Sequence, residues 1–467
     1  MSAAVTTEKN LAAAADPARV FEKQTEGIRR LIWVYLILWV IEGGLRRWIL
    51  PGLATPLLLI RDPVVIAIYF LAVTKNLFPV NGFITFGALL AVLSFINAML
   101  LGHGNALVAL YGMRCDFLHV PLIFIMARIL RQKHLVALAR VAVCVAIPYT
   151  ILLVGQFYEP QDSWINRGVG DGSEGAGFDG ALGHFRPPGT FTFITGPAEL
   201  YPIFTACWCM LILLNRIPGW LTLASGAAIL VAIPLSISRL FFLNVAIVAV
   251  AGVVALVAGR RFSGGMLFRV VLVVILLPIL ASQIPAFKDG MEAFTTRWET
   301  STTDQGGIQG SILDRMMGDL FGKFDEAQFS SLGTGFSTNV GQKLLTGDVG
   351  FGASEGEWGR LLYDNGLILG TMFIAYRIAL VSYIVFMALK AWRRRAPQAL
   401  VFASAGFLLM LNGQWGQAST LGAAMIVGGL SLAAASIGDK PAGFKPKSRK
   451  DRLSHRTKRN RLTHATT

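Results

Sequence analysis

The stretch LFFLNVAIVAVAGVVALVA, residues 240–258, is apolar on every side and long enough to cross the hydrocarbon of a bilayer as a helix. A strand of a membrane β-barrel would alternate apolar and polar residues instead. Comparable runs recur at 29–47, 56–74, 83–101, 105–127, 134–156, 193–215, 218–237, 266–286, 361–389, 397–412 and 418–437. The predicted fold is therefore all-α: a polytopic membrane bundle of about twelve transmembrane helices with a large helical outer loop. Composition agrees, since 54% of the 467 residues are hydrophobic, 15% are charged and mean hydropathy is +0.58. Such values exclude a soluble domain built on one core.

The expected organisation is an N-terminal tail over 1–28, a membrane domain over 29–437 and a basic tail over 438–467. The first segment is polar without a cleavable signal pattern, so the first span is expected to be an uncleaved anchor. No internal repeat is visible. Cys115, Cys144, Cys207 and Cys209 fall in or near apolar spans without metal-ligand spacing and read as small apolar residues. The six histidines are scattered, so neither metal nor cofactor is expected.

The final tail holds ten Lys and Arg against two Asp. Next to a last span, such a tail is a cytoplasmic end facing anionic lipid rather than a nucleic-acid binder. With an even number of spans the N-terminus is inside too. Lys75, Arg128, Arg131, Lys133, Arg216, Arg260, Arg261, Lys390 and Arg393 to Arg395 then all fall on the cytoplasmic side. Two long loops, 157–192 and 287–357, fall outside, which in a bacterial inner membrane is the periplasm. The first is acidic and glycine-rich. In the second, Ile308, Ile312, Leu313, Met316, Met317, Leu320, Phe321 and Phe324 recur at helical spacing behind a capping-box pair, Ser311 and Asp314.

Arg46, Arg47, Arg61, Arg186, Arg239, Arg297 and Arg315 remain on the outer side, against the charge rule. Each needs a protein partner or an anionic ligand. A guanidinium matches phosphate bidentately and keeps its charge at any physiological pH, so a set of them beside lipid suits a lipid-linked diphosphate. Within or near spans, Glu42, Asp62, Arg114, Asp116, Glu199 and Arg377 are costly and need partners. Arg114 and Asp116 are two apart on one helix, so each must find its partner elsewhere.

Arg186-Pro-Pro-Gly-Thr-Phe, SISRLFF around Arg239, Arg315, Gly333-Thr-Gly335 and SEGEWGRLLYDNGLILG at 354–370 follow one another in a telling order. That order resembles the O-antigen ligase and Wzy-type polysaccharide polymerase superfamily. Earlier, VIEGGLRRWILPG and LLLIRDPVVIAIYFLA resemble the opening spans of polymerase-like proteins from bacterial exopolysaccharide clusters, which favours polymerase over ligase.

The resemblance implies an inner-membrane glycosyltransferase that joins oligosaccharide repeats carried on undecaprenyl diphosphate. Arg186, Arg239 and Arg315 match the family's diphosphate-binding arginines, with Arg46, Arg47, Arg61, His184 and Arg297 as further substrate contacts. Where ligases carry a histidine upstream of the glycine matching Gly366, this chain has Glu355; Glu357 is the rival base and His184 a third. A carboxylate can take the proton of a sugar hydroxyl. The implied chemistry inverts the anomeric centre and needs no metal, because arginines carry the charge. Expected partners are the lipid-linked glycan, membrane lipid and other polysaccharide assembly proteins, with no nucleic acid.

Three rivals follow from the residues. An O-antigen-ligase-like transferase would use another acceptor. A transferase using lipid-monophosphate sugars would carry an acidic base in the first outer loop, yet LRRWILPGLATP has none, though Glu42 and Asp62 flank it. A polysaccharide transporter or flippase would show inverted repeats and broken helices. The G-x-S-x-G match at 352–356 needs a strand-to-helix elbow in a soluble sheet, which this chain lacks the sequence to build.

Overall fold

The computed structural model describes residues 17–169, 179–258, 276, 278–279, 281–304, 331–347, 356–394 and 396–437. The tail after Gly438, most of the expected span 266–286, the amphipathic segment around Arg315, and Glu355 lie outside the described residues.

The described residues are mostly helical. In order come α1 (Pro17–Gly44), α2 (Asp62–Thr74), α3 (Gly82–Leu100), α4 (Ala106–Met113), α5 (Val120–Ile129) and α6 (Gln132–Tyr158). A two-stranded antiparallel hairpin, β1 (Asp179–Ala181) and β2 (His184–Phe185), interrupts them. Then follow α7 (Thr195–Leu213), α8 (Gly219–Leu235), α9 (Arg239–Ala258), α10 (Pro285–Asp304), α11 (Asn339–Thr346), α12 (Glu357–Arg393), α13 (Gln398–Asn412) and α14 (Ala418–Ser436).

Eight helical segments among the described residues are long and apolar enough to cross a membrane. Two shorter apolar helices, α8 and α13, occupy the places of two further expected spans. Helix α1 takes a third, but Arg29, Arg30 and Glu42 interrupt its apolar run. The expected twelve is thus not reached by length and composition. The span expected at 105–127 is α4 and α5 joined by a wide turn, Arg114–Leu118, and the first outer loop, read as acidic and glycine-rich, holds the hairpin.

Side-chain size explains the packing. Helix α14 is enclosed on nearly every side, and its glycines let neighbours approach: a Cβ at Gly429 would lie 2.6 Å from Met126 Sδ, and one at Gly428 3.0 Å from the Met410 thioether. Peripheral helices show the reverse. On α2, Ile66, Phe70 and Val73 share one helical face and are each more than half exposed, and Val250, Val253 and Val257 do the same on α9. Such apolar stripes suit contact with lipid.

The helix connections gather at two ends. At one, Lys75 Nζ donates to Gln24 O at 2.7 Å, Lys133 pairs with Glu22 at 3.0 Å, and Arg131 lies over the Phe21 ring. At the other, residues 45–61, 101–105, 159–169, 179–194, 236–238, 331–338 and 413–417 meet. Arg47 there reaches Gly189, Gly102 abuts Gly333, and Gly416 faces Thr338. We refer to this second assembly as the loop end.

Candidate functional site

The segment carrying Arg186 is built into the loop end by its neighbours. Gly189 adopts φ +62°, and a Cβ there would fall 2.2 Å from Tyr149 Oη, so only glycine fits. Its N–H donates to Gln156 Oε1 at 2.7 Å, while its carbonyl accepts from Gln156 Nε2 at 2.9 Å and Arg47 Nη1 at 3.0 Å. The Thr190 N–H donates to Tyr149 Oη at 3.0 Å. On the other side, the His184 ring stacks on Phe157 with centroids 4.0 Å apart, and its Nδ1 bonds the Phe157 carbonyl oxygen at 3.0 Å. Pro187 and Pro188 are buried between these anchors. Arg186 therefore leaves a backbone fixed on both flanks, and its side chain is half-buried.

Arg239 lies close by. Gly180 of the hairpin packs against both Arg186 and Ile237, two residues before Arg239 opens α9. The half-buried Arg239 guanidinium stands 6.0 Å from the Trp298 ring of α10. Helix α10 packs closely on Pro234 and Leu235 at Gly290, where a Cβ would lie 3.1 Å from Leu235 N and 3.3 Å from Pro234 C, and the Tyr158 hydroxyl bonds Asp289. Arg297 is on the same helix and exposed. The structure thus brings Arg186, Arg239, His184 and α10 together at one end; Arg315 and Glu355 lie outside the described residues.

The first outer arginines are placed differently. Arg47 is fully buried and donates to four carbonyls: Arg167 at 2.8 Å, Gly189 at 3.0 Å, Phe191 at 2.9 Å and Ile165 at 3.0 Å. Arg61, also fully buried, meets Glu42 at 3.1 Å and the Ala418 carbonyl, and stands over the Tyr35 ring. Arg46 donates to Ala54 O at 2.8 Å and lies 3.7 Å from Glu42. These three, expected to contact substrate, are engaged by the protein itself and tie α1 to the loops around it.

Beneath the loop end lies a charge network. Glu357 accepts from Arg360 at 2.8 and 2.9 Å and from Arg377 at 2.5 Å. Glu357 and Arg377 are twenty residues apart, about 30 Å along a straight helix, so contact requires α12 to double back. It does so at Gly366, with φ 75° and ψ 172°. The break frees carbonyls that the inserted segment 331–338 satisfies: Leu332 N donates to Tyr363 O at 2.9 Å and Gly333 N to Asp364 O at 3.0 Å. The Asp364 carboxylate accepts from Gly335 N at 3.1 Å and Ser337 N at 2.9 Å. Gly112 makes room for Thr334 and Gly335, so Gly333-Thr-Gly335 is a plug held by α12 and α4. Arg360 also pairs with Asp116 at 2.7 Å. Glu357, the rival base, is almost fully buried between two guanidiniums, a placement that suits a bridge between helix segments.

Arg114 and Asp116 find separate partners, as their spacing requires. Arg114 holds Asp62 through two bonds, at 2.8 and 3.1 Å. Asp62 also meets His119 Nε2 at 3.0 Å, and His119 Nδ1 meets Tyr35 Oη at 2.9 Å. Arg360, Asp364, His119 and Tyr35 were not singled out by the sequence reading. Glu357, Arg360 and Asp364 carry a usable signal, since their spacing puts them on one helical face.

All four cysteines are free thiols. No group of metal-ligating side chains occurs among the described residues. No protein-family model, curated protein or solved structure matches this chain.

Proposed function

We propose that this chain is a bacterial inner-membrane polysaccharide polymerase that joins lipid-diphosphate-linked oligosaccharide repeats at the loop end. The observation that carries this reading is the placement of Arg186 and Arg239. Both are half-buried guanidiniums at one end, one on a segment fixed by its neighbours and the other opening a helix beside α10. Charge supports the orientation. Arg29, Arg30, Lys75, Arg128, Arg131, Lys133, Arg216, Lys390, Arg393 and Arg394 belong to the opposite side of the bundle, which the positive-inside rule assigns to the cytoplasm. The loop end then faces the periplasm.

In this mechanism Arg186, Arg239 and Arg315 hold the diphosphate and stabilise the charge it gains as it leaves. An acceptor sugar hydroxyl attacks the anomeric carbon from the opposite face. A new C–O bond forms, the bond from that carbon to the diphosphate oxygen breaks, and the oxygen keeps the electron pair. Glu355 takes the hydroxyl proton. The products are a glycan longer by one repeat, with inverted configuration, and free undecaprenyl diphosphate. Replacing Arg239 by Ala should abolish polymer in cells while single lipid-linked repeats accumulate; normal polymer would remove Arg239 from the site.

One feature favours a second reading, a polysaccharide transporter: α12 is broken at Gly366 around an inserted segment and a buried charge network. The two readings predict different leaflets. A polymerase variant leaves lipid-linked repeats on the periplasmic leaflet, whereas a transporter variant leaves them on the cytoplasmic one.

A further inference from the structure

A groove of about 180 Å³ lies between α1 and α6, at the end of the bundle opposite the loop end. A water takes roughly 30 Å³ of liquid, so the space exceeds several waters and accepts a phosphoglycerol or a length of acyl chain. Its walls divide by polarity. Nearer the end, Glu26, Arg29 and Arg30 of α1 and His134 of α6 line it; deeper in, Ile32, Trp33 and Leu36 of α1 and Leu138 of α6 do. The apolar wall continues beyond the groove: Ile37 and Ile41 follow Trp33 on one face of α1, Val141 follows Leu138 on α6, and all three are exposed. Positive charge is in excess around the polar part. Residues 17–33 and 130–138 carry Arg19, Lys23, Arg29, Arg30, Arg131 and Lys133 against Glu22 and Glu26. Glu22 alone is shared by Arg29 at 3.2 Å, Lys133 at 3.0 Å and His134 at 3.4 Å. Arg30 meets Glu26 at 2.5 Å, in a pair whose side chains are 77% and 50% exposed. An exposed pair of this kind contributes little, so Arg30 can turn to another anion at small cost.

We infer that this groove binds one anionic phospholipid of the surrounding membrane, with its phosphate at Arg30 and an acyl chain along Trp33, Leu36 and Leu138. Arginine's planar fork matches a phosphate, and Arg29 and Lys133 add to the field that attracts it. Tryptophan at this depth is suited to the boundary between headgroups and chains. A soluble phosphate ester would leave the apolar wall in water, and a lipid without net charge would leave the basic excess unanswered. The acyl chains leave the groove along the exposed stripe of Ile37, Ile41 and Val141, so only the head and upper chain need be enclosed. Bound there, the lipid bridges α1 to α6. The proposed orientation puts it in the cytoplasmic leaflet, at the far end of the bundle from Arg186 and Arg239.

The test is native mass spectrometry of the purified, delipidated full chain in a nonionic detergent. The protein is titrated with palmitoyl-oleoyl phosphatidylglycerol or with phosphatidylcholine bearing the same chains. The first phosphatidylglycerol should bind several-fold more tightly than the first phosphatidylcholine. Arg30→Gln should reduce that preference by more than half. Leu36→Trp, which fills the apolar part of the groove, should weaken phosphatidylglycerol binding several-fold, and Arg186→Ala should change neither quantity. Glycerol phosphate in large excess should not displace the bound lipid. Arg30 is exposed, so Arg30→Gln keeps the test valid if Leu36→Trp fails to fold. Equal affinity for the two lipids, displacement by glycerol phosphate, a preference that Arg30→Gln leaves unchanged, or one that Arg186→Ala reduces as much overturns the proposal.

Discussion

Arg47 and Arg186 belong to the same end of the molecule and serve the same stretch of chain, but they differ in burial. Arg47 is fully buried, and its donors hold the carbonyls of Ile165, Arg167, Gly189 and Phe191. Arg186 is half-buried on the segment that Arg47 helps to fix. In the sequence both are positive charges on the wrong side of a membrane. Packing separates them: one guanidinium builds the support, and the other is carried by it. A buried arginine bonded to several carbonyls organises loops, and a ligand would have to displace those bonds to reach it.

The comparison breaks most readily at Arg47. Arg47→Ala should leave the Arg167 and Phe191 carbonyls without a side-chain donor, since Gln156 still reaches those of Ile165 and Gly189, and cost about 2–4 kcal/mol. Thermal unfolding of the purified protein should shift down strongly, and a variant melting like wild type would show that Arg47 is not a support. Next in size is Gly189→Ala, which puts a methyl into Tyr149 Oη at a left-handed backbone position. A loss of about 1–3 kcal/mol is expected from the strained backbone and the displaced tyrosine, read in the same melting experiment. Arg186→Ala should change stability by less than about 1 kcal/mol, because the flanking anchors remain. A large fall in its melting temperature would place Arg186 with Arg47.

The smallest effect is expected far from the loop end, at Glu22. Burial raises the pKa of its carboxyl, but the hydrogen bond from Lys133 and the charges of Arg29, His134 and Lys133 outweigh burial and hold it below the usual value. A lowered folded-state pKa stabilises fully above the unfolded value of about 4.3 and ceases to do so as pH falls through the folded value. Glu22→Gln should therefore melt slightly below wild type at pH 7, and the gap should close on acidification. A gap that widens toward acid would contradict this sign.

Much of the fold was legible because membrane helices declare themselves by length and all-round apolarity. The runs at 83–101, 134–156 and 418–437 became α3, α6 and α14 with small shifts at their ends. Divergence of Arg114 and Asp116 was legible too, since helical geometry alone forbids their facing one another. The break in α12 was not: Gly366 falls within the span expected at 361–389, and its backbone and the contact between Glu357 and Arg377 reveal the reversal. The Arg360 network escaped for a related reason, as Asp116 is contributed from far away in sequence. Charge placement likewise marked Arg47, Arg61 and Arg186 as exceptions, but whether a carbonyl waits within reach is a tertiary fact.

The most direct test of the central claim is polymerisation by purified protein supplied with undecaprenyl-diphosphate-linked repeats, comparing wild type with Arg186→Lys. Lysine keeps the charge and loses the planar fork. The account predicts a folded variant that leaves single repeats unjoined while wild type extends them. Equal polymer from both proteins, at equal amounts of folded material, would contradict it.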